Sequence, residues 1–279
     1  MAGEAEQQLR AYVEYLRDMG VHDFYRQGEP VFAEVRETPP LQVEAIVVVE
    51  ELEATPVSNR PAFLEPPIAK LVSFDDLAPL PENRVAPAHK AEALAAIQEE
   101  IGDCTRCPLA YAGRRKIVFA DGDANARLMF VGEGPGADED VQGLPFVGKA
   151  GQLLNNMIQA MGLKREQVYI ANIVKCRPPA NRTPEPVEAN TCSQFLLRQI
   201  DVVQPEIVVA LGSTAATYLL GVKQSLSGLR GKWHSCRGAK LAVTYHPAFL
   251  LRDPRMKSEA WKDLQMVMKE MGLKAPAKG

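Results

Sequence analysis

The chain has 279 residues, of which 46% are hydrophobic and 24% charged, and its formal net charge is −3. This balance excludes collagen-like, coiled-coil and wholly disordered classes, and the length suffices for one large domain or two small ones. The longest apolar runs, such as residues 45–49 and 207–211, are far too short to span a bilayer. The acidic N-terminus lacks the apolar stretch of a secretory signal, so we expect a cytoplasmic protein with reduced thiols.

Residues 1–90 differ in composition from the rest of the chain. They hold 16 acidic and 8 basic side chains and 10 of the 21 prolines, whereas the remaining residues hold 19 acidic and 24 basic side chains. Acidic, proline-rich sequence is typical of a flexible extension, which we expect over residues 1–90. Within it, apolar residues at helical spacing predict a short helix near residues 4–19, and a valine-rich run predicts a strand at 41–49.

From residue 91 onward, β-rich runs alternate with helical segments. This alternation predicts an α/β domain over residues 91–279, with a parallel sheet that has helices on both faces. The four strands are nearly continuous in Val, Ile, Leu and Ala, as expected when both faces of a sheet are covered. The predicted strands are 127–132, 168–174, 206–211 and 241–245, and the predicted helices are 91–101, 150–161, 186–203, 213–220 and 257–271.

Polar residues follow each predicted strand. Ligands of open parallel sheets bind at the carboxyl ends of the strands, so these residues are expected to meet at one edge. The segments are Gly132–Gly136 (GEGPG), Asn172 with residues 175–179 (KCRPP), Gly212-Ser213 and His246-Pro247. Glycines allow main-chain groups to approach a ligand closely, and Pro247 restricts the backbone beside His246.

Four of the five cysteines form a candidate metal site. Cys104 and Cys107 are a chelating pair, and Cys176 and Cys192 follow as single residues. Zinc sites usually combine two close pairs, so this spacing fits zinc poorly, while thiolates from separated loops suit a [4Fe–4S] cluster. We expect a structural role for the cluster, with zinc as the alternative occupant. Cys236 has no partner at chelating spacing and is expected to be a spare thiol.

Four long segments in this order resemble the family 4 uracil-DNA glycosylases, the iron–sulfur-containing branch of the uracil-DNA glycosylase superfamily. The resemblance covers about residues 91–271 and includes all four cysteine positions. It implies a three-layer α/β/α sandwich on a four-stranded parallel sheet, and hydrolysis of the bond between uracil and deoxyribose. The segments are GEGPG (132–136), GLPFVGKAG (143–151), ANIVKCRPPANR (171–182) and TYHPAFLLRDP (244–254).

The resemblance also implies roles for individual residues. Phe146 would stack on an extruded uracil, and the Asn172 amide would hydrogen-bond its edge and so distinguish it from cytosine. His246 would donate toward uracil O2, where negative charge accumulates as the bond breaks. Glu133 would position water and stabilise the cationic sugar, with Asp140 as a second candidate carboxylate.

The remaining implied contacts concern the pocket wall and the DNA. The backbone at Gly134 and Gly136 would line the pocket, and Leu250, Leu251 and Arg252 would push into the duplex. The implied substrate is uracil-containing DNA, single- or double-stranded. Apart from the resemblance, which does not cover the extension, we expect a monomer and a repair or replication protein as the partner of residues 1–90. Basic residues near the cleft would neutralise phosphates: Lys149, Lys175, Arg177, Arg182, Arg252, Arg255 and Lys257.

Two other functions compete with the glycosylase. One is a non-catalytic, metal-stabilised DNA-binding module, which needs none of Glu133, Asn172 and His246. The other is a nucleotide hydrolase that uses GEGPG as a phosphate loop, although the Lys and Ser/Thr of such a loop are missing. Residues 221–232 contain no His and no long basic insertion. A related branch bonds covalently to DNA through such a His, so a turning-over enzyme is expected here.

Overall fold

The computed structural model describes residues 71–274. The predicted helix at 4–19 and the predicted strand at 41–49 lie outside these residues. No helix within the described range combines the length and the apolar character needed to cross a membrane.

A six-stranded mixed sheet forms the centre of the described domain. Its spatial order is β1-β3-β2-β4-β6-β5, with the four inner strands parallel and the two edge strands antiparallel to their neighbours. Gly132 at the end of β2 pairs with Asn172 at the end of β3, which brings two site residues side by side. The strands are β1 (Asp121–Gly122), β2 (Leu128–Gly132), β3 (Tyr169–Asn172), β4 (Ile207–Leu211), β5 (His234–Cys236) and β6 (Ala239–Thr244).

The predicted four-stranded parallel sheet is confirmed as the core, but the total of four strands is wrong. The two edge strands, β1 and β5, have only two and three residues. Strands this short have no usable hydrophobic alternation. β5 reaches β6 through a two-residue turn, Arg237-Gly238, in which both φ angles are positive (+52° and +76°), as in a tight β-hairpin turn.

Helices cover both faces of the sheet, which confirms the α/β/α sandwich. Alternate residues along β2 divide between two buried clusters: Met129 and Val131 face one side, Leu128 and Phe130 the other. The helices are α1 (Phe74–Leu77), α2 (Lys90–Ile101), α3 (Ala137–Gln142), α4 (Lys149–Ala160), α5 (Pro186–Val203), α6 (Ser213–Leu220), α7 (Leu226–Leu229), α8 (Pro247–Arg252) and α9 (Lys257–Met271). Short 3-10 turns occur at Pro87–His89, Pro108–Tyr111, Arg165–Gln167, Pro179–Asn181 and Pro254–Met256.

Packed structure begins before residue 90. Phe74 in α1 is buried in the same cluster as α2 and α5. The Arg237 guanidinium donates to the carbonyls of Ala78 and Pro79 and pairs with Asp201. The segment that follows residue 71 is therefore held on the domain by an apolar anchor and a buried cation.

Candidate active site and cysteine cavity

A cleft of about 740 Å³ opens at the carboxyl ends of the parallel strands. The loops after β2, β3, β4 and β6 all contribute to its wall, as expected for an open parallel sheet. Seven of the eight predicted catalytic and substrate-binding residues line this cleft together: Glu133, Gly134, Gly136, Phe146, Asn172, His246 and Arg252.

Asn172 presents an unpaired hydrogen-bond acceptor to the cleft. Asn172 is only 2% exposed, and its Oδ1 atom has no hydrogen-bond partner among residues 71–274. Its backbone carbonyl accepts a hydrogen bond of 3.0 Å from Lys175 Nζ, which fixes the end of β3. Buried amide oxygens are nearly always paired, so this atom is placed for a ligand that brings an N–H group.

The Asn172 amide and the Phe146 ring come together beside Gly132 at the cleft wall, and we call this part of the cleft the slot. A Cβ atom on Gly132 would stand 2.4 Å from Asn172 Oδ1 and 2.6 Å from Phe146 Cζ. No other amino acid fits at Gly132 without displacing one of these two groups. The slot therefore combines a flat apolar wall with an amide at its base.

His246 caps the N-terminus of α8 and is held in one tautomer. Its Nδ1 atom accepts a 3.1 Å hydrogen bond from the Ala248 N–H, so in the neutral ring the proton is on Nε2. Burial, reinforced by the positive charge of Arg252 and opposed by Glu139, lowers the pKa of His246 to about 4. The ring lies 5.6 Å from the Phe146 ring, centroid to centroid. Near neutral pH it is an uncharged donor beside the slot.

Glu133, Asp140 and Glu139 have different environments. Glu133 is partly exposed and lines the cleft. Asp140 is 2% exposed, and its Oδ1 atom accepts a 2.8 Å hydrogen bond from the Arg115 N–H. Asp140 is absent from the cleft wall, so the structure does not bring it together with the other candidates. Glu139, which the sequence reasoning missed, accepts from the N–H groups of Gly136, Val147 and Gly148.

All four predicted cysteine ligands line one small cavity within the buried cluster that contains Ile101 and Phe195. Ile101, Ile117 and Phe195 complete its apolar wall. Three groups donate toward the sulfurs: the Lys175 N–H to Cys192 (3.3 Å), Arg106 to Cys104 (3.5 Å) and Arg114 to Cys176 (3.6 Å). Converging donors of this kind suit a site that accumulates negative charge on sulfur.

The cysteines are free thiols, and burial raises the pKa of Cys107, Cys176 and Cys192. Burial raises the pKa of Cys176 to about 11 and that of Cys192 to about 12. A metal that binds thiolates must therefore displace protons from this cavity. Cys236 does not line it and is buried elsewhere. Among residues 71–274, no three or more His, Cys, Asp or Glu side chains are arranged around a single metal ion.

Comparison with known proteins identifies the family. Residues 119–265 match the model of the uracil DNA glycosylase superfamily. The "Type-4 uracil-DNA glycosylase" of Thermotoga maritima is 45% identical over 166 residues, covering 59% of this chain and 86% of that protein. The protein of that name from Archaeoglobus fulgidus is 38% identical, and the match covers 66% of this chain and 96% of that protein. The one from Pyrobaculum aerophilum is 41% identical, and the match covers 61% of this chain and 90% of that protein. The chain belongs to the type-4 family.

Two expected DNA contacts of this type-4 family member need correction. Leu250 is 1% exposed and packs in the core, so only Leu251, which is 43% exposed, and Arg252 can reach a duplex from α8. Lys175 was expected among the phosphate-binding residues. It is 1% exposed, and its Nζ atom is bound to Asn172 and Gln199.

The type-4 cleft also contains residues that received no role in the sequence reasoning. Asn181, Tyr245 and Phe249 lie on its wall. Tyr245 stacks on Phe249 at 5.2 Å, and the Arg230 guanidinium lies 4.1 Å from the Tyr245 ring. The sequence did point to this part of the chain, because Asn181, Tyr245 and Phe249 belong to the segments 171–182 and 244–254 that carry the family resemblance. Their side-chain directions could not be read from the sequence.

Proposed function

We propose that the chain is a uracil-DNA glycosylase that hydrolyses the N-glycosidic bond of deoxyuridine, releasing free uracil and leaving an abasic site. The observation that carries this proposal is the unpaired Asn172 Oδ1 at the base of the slot beside Phe146. Uracil offers an N3–H donor next to the O4 acceptor, and the Asn172 amide offers the matching acceptor and donor. Cytosine has no N3–H and carries an amino group at C4, so it cannot make this pair.

The base must leave the stack to reach the slot, and Phe146 gives it a new stacking surface. As the glycosidic bond breaks, negative charge develops on uracil, and His246 Nε2–H is the donor proposed to face O2. A neutral imidazole held by the Ala248 N–H is already oriented for this task. Single donors of this kind contribute about 10²- to 10³-fold to the rate.

Glu133 is the carboxylate proposed to orient the attacking water and to stabilise the positive charge of the sugar. It lines the cleft and is partly exposed, so it can reach both water and substrate. Asp140 has no part in this proposal, because its carboxylate binds the backbone at Arg115 outside the cleft.

The test is release of free uracil from a uracil-containing oligonucleotide. The wild type should release uracil, and Asn172→Ala should lower the single-turnover rate about 10²-fold or more while DNA binding persists. Asn125→Ala is the matched control, since Asn125 precedes β2 at the opposite end of the sheet. Binding of DNA by the wild type without uracil release would favour the non-catalytic DNA-binding module.

We also propose that Cys104, Cys107, Cys176 and Cys192 hold a structural [4Fe–4S] cluster. Support comes from the shared cavity, the four-sulfur donor set and the N–H and guanidinium groups that face the sulfurs. When bound, the cluster would link the segment before Pro108 to the loop after β3.

Metal and sulfide analysis of protein purified without oxygen tests this cofactor. We expect about four iron atoms and four sulfides per chain, with broad visible absorbance. Cys192→Ser should lose them, and Cys236→Ser should retain them. One zinc per chain without iron would contradict the cluster.

The substrate is uracil-containing DNA, and we propose that the protein acts on it as a monomer in the cytoplasm. We further propose that residues 1–70 engage a repair or replication protein through their acidic, proline-rich composition. Deleting residues 1–70 leaves the described domain complete. Uracil release should then be unchanged, while the protein partner should no longer copurify.

A further inference from the structure

Phe146 has a backbone conformation that its side chain does not favour. Its φ angle is +53°, in the left-handed region that residues other than glycine rarely adopt. Such conformations persist only where surrounding groups enforce them, and they concentrate at functional sites. The groups that hold Phe146 therefore also determine where its ring lies relative to Asn172.

Arg165 holds the carbonyl side of this residue. Its guanidinium donates to Pro145 O at 2.6 Å and to Phe146 O at 3.2 Å. The same guanidinium donates to Asn155 Oδ1 at 2.8 Å, and its Nε pairs with Asp121 at 2.7 Å. Four acceptors in different directions leave the guanidinium little freedom to move.

Glu139 and Gly151 also hold the chain around Phe146. Glu139 accepts from the N–H groups of Val147 and Gly148, at 2.9 and 3.0 Å. Gly151 in α4 lets the helix approach, because a Cβ there would lie 1.9 Å from Phe146 O. Arg165 is thus the group that fixes the Phe146 carbonyl between the loop and the helix.

We propose that Arg165 is a positioning residue for base recognition: it keeps the Phe146 ring over the slot at Asn172 and so sets the affinity for uracil. The inference rests on the proposed glycosylase function. Arg165 is outside the cleft wall and therefore acts through Phe146, without touching the base.

An ordinary stabilising ion pair is the competing explanation for Arg165. The pair with Asp121 joins β1 to the turn before β3, which would stabilise the fold without any effect on the slot. The two explanations differ in uracil affinity, because a purely structural pair leaves the slot of the folded protein unchanged.

The test substitutes Arg165→Lys and Arg165→Gln. Lysine keeps the charge beside Asp121, but one ammonium group cannot reach Pro145 O, Phe146 O and Asn155 together. Arg127→Lys is the matched control, since Arg127 makes a forked ion pair with Glu206 (2.7 Å for both contacts) on the surface. The measurements are the inhibition constant of free uracil, the single-turnover rate, affinity for uracil-free DNA, and amide exchange over residues 144–150.

We expect Arg165→Lys to raise the inhibition constant of uracil about 10-fold and to slow the chemical step about 10- to 100-fold. Amide exchange at residues 144–150 should accelerate, while affinity for uracil-free DNA and the behaviour of Arg127→Lys should match the wild type. Unchanged uracil inhibition and rate in folded Arg165→Lys would overturn the inference, even if amide exchange changes. Absence of uracil release from the wild type would instead contradict the proposed glycosylase function. In that case, unchanged amide exchange in Arg165→Lys would still contradict the proposal that Arg165 positions Phe146.

Discussion

A single unpaired oxygen explains much of the chemistry expected in the cleft. Leaving a buried amide acceptor without a partner costs about 1–3 kcal/mol. Asn172 Oδ1 is such an acceptor. A ligand that donates to it recovers this free energy, and one that presents a second acceptor does not. The unpaired Oδ1 therefore favours a ligand that offers an N–H group at this point of the cleft.

Gly132→Ala should close the slot. Its Cβ would clash with Asn172 Oδ1 and with the Phe146 ring, so we expect uracil release to fall at least about 100-fold in a protein that still folds. Gly228→Ala is the matched control, because a Cβ there meets only Ser225 Oγ, at 3.4 Å. Uracil release rates and thermal unfolding of both variants provide the check, and near-normal activity of Gly132→Ala would contradict the slot.

The protonation of His246 predicts a pH effect on stability. Its folded-state pKa is about 4, whereas the unfolded value is about 6.5. As pH falls, the unfolded chain therefore binds a proton at His246 before the folded protein does. The free energy of unfolding should fall as pH drops from about 6.5 toward 4, and the stabilisation by neutral His246 is fully present above pH 6.5. Urea unfolding of His246→Gln should show a weaker pH dependence in that window than the wild type.

The exposed His89 provides the control for this experiment, since its side chain is 71% exposed. His89→Gln should keep the wild-type pH dependence. A pH profile of His246→Gln that coincides with the wild type would show that His246 is not buried as a neutral ring.

At the residue scale, the sequence predicted the residues that face the cleft better than those that support them. Asn172, Phe146 and His246 lie in recognisable segments, and the structure brings them together. Asp140 was misplaced because successive residues of α3 point in different directions, and Glu139 is the one that binds the Phe146 loop. Arg165 carries no local pattern, because its partners come from distant parts of the chain.

At the scale of elements, long periodic segments were predictable and short ones were not. The predicted helix at 186–203 matches α5, and the predicted strand at 206–211 matches β4 within one residue. Hydrophobic periodicity needs several residues to be visible, which β1, β5 and α1 do not have. α8 was not predicted because six residues are too few for a visible hydrophobic period, although its first residue, Pro247, is favourable at a helix N-terminus.

Arg237 should be essential for holding the α1 segment on the domain. Its side chain is 1% exposed and pairs with Asp201 at 2.7 Å while donating to the carbonyl of Pro79. Arg237→Gln would leave Asp201 without its cation, which should cost about 3–5 kcal/mol of unfolding free energy in urea. Limited proteolysis should also cut residues 71–85 faster.

The exposed ion pair between Arg127 and Glu206 provides the comparison, since each side chain is 55% exposed. Arg127→Gln should cost less than about 1 kcal/mol. Equal losses in the two variants would show that burial of Arg237 adds nothing to stability.

For the whole molecule, net charge conceals a division of the chain. Residues 1–90 are acidic and the remainder is basic in balance, so the total of −3 does not exclude a nucleic-acid partner. Exposed basic side chains lie near the cleft, among them Lys149 at the N-terminus of α4 and Arg252 at the end of α8. We propose that both contact DNA phosphates.

DNA affinity should therefore weaken with salt. A plot of log Kd against log salt concentration should have a slope that Lys149→Gln reduces by about 0.9, the value for one lost phosphate contact. Lys262→Gln is the control, because Lys262 pairs with Glu259 on the surface of α9. If both variants keep the wild-type slope, Lys149 does not contact a phosphate.

The segment from Asn172 to Cys176 has a consequence for how this protein can change over evolutionary time. Only three residues separate Asn172, the amide proposed to recognise the base, from the proposed cluster ligand Cys176. Lys175 connects the two sites, since its Nζ atom donates to the Asn172 carbonyl while its N–H donates to Cys192, a second proposed cluster ligand. An insertion or deletion here would shift both sites at once, so a lineage can lengthen loops elsewhere around the cleft but must inherit this stretch at constant length.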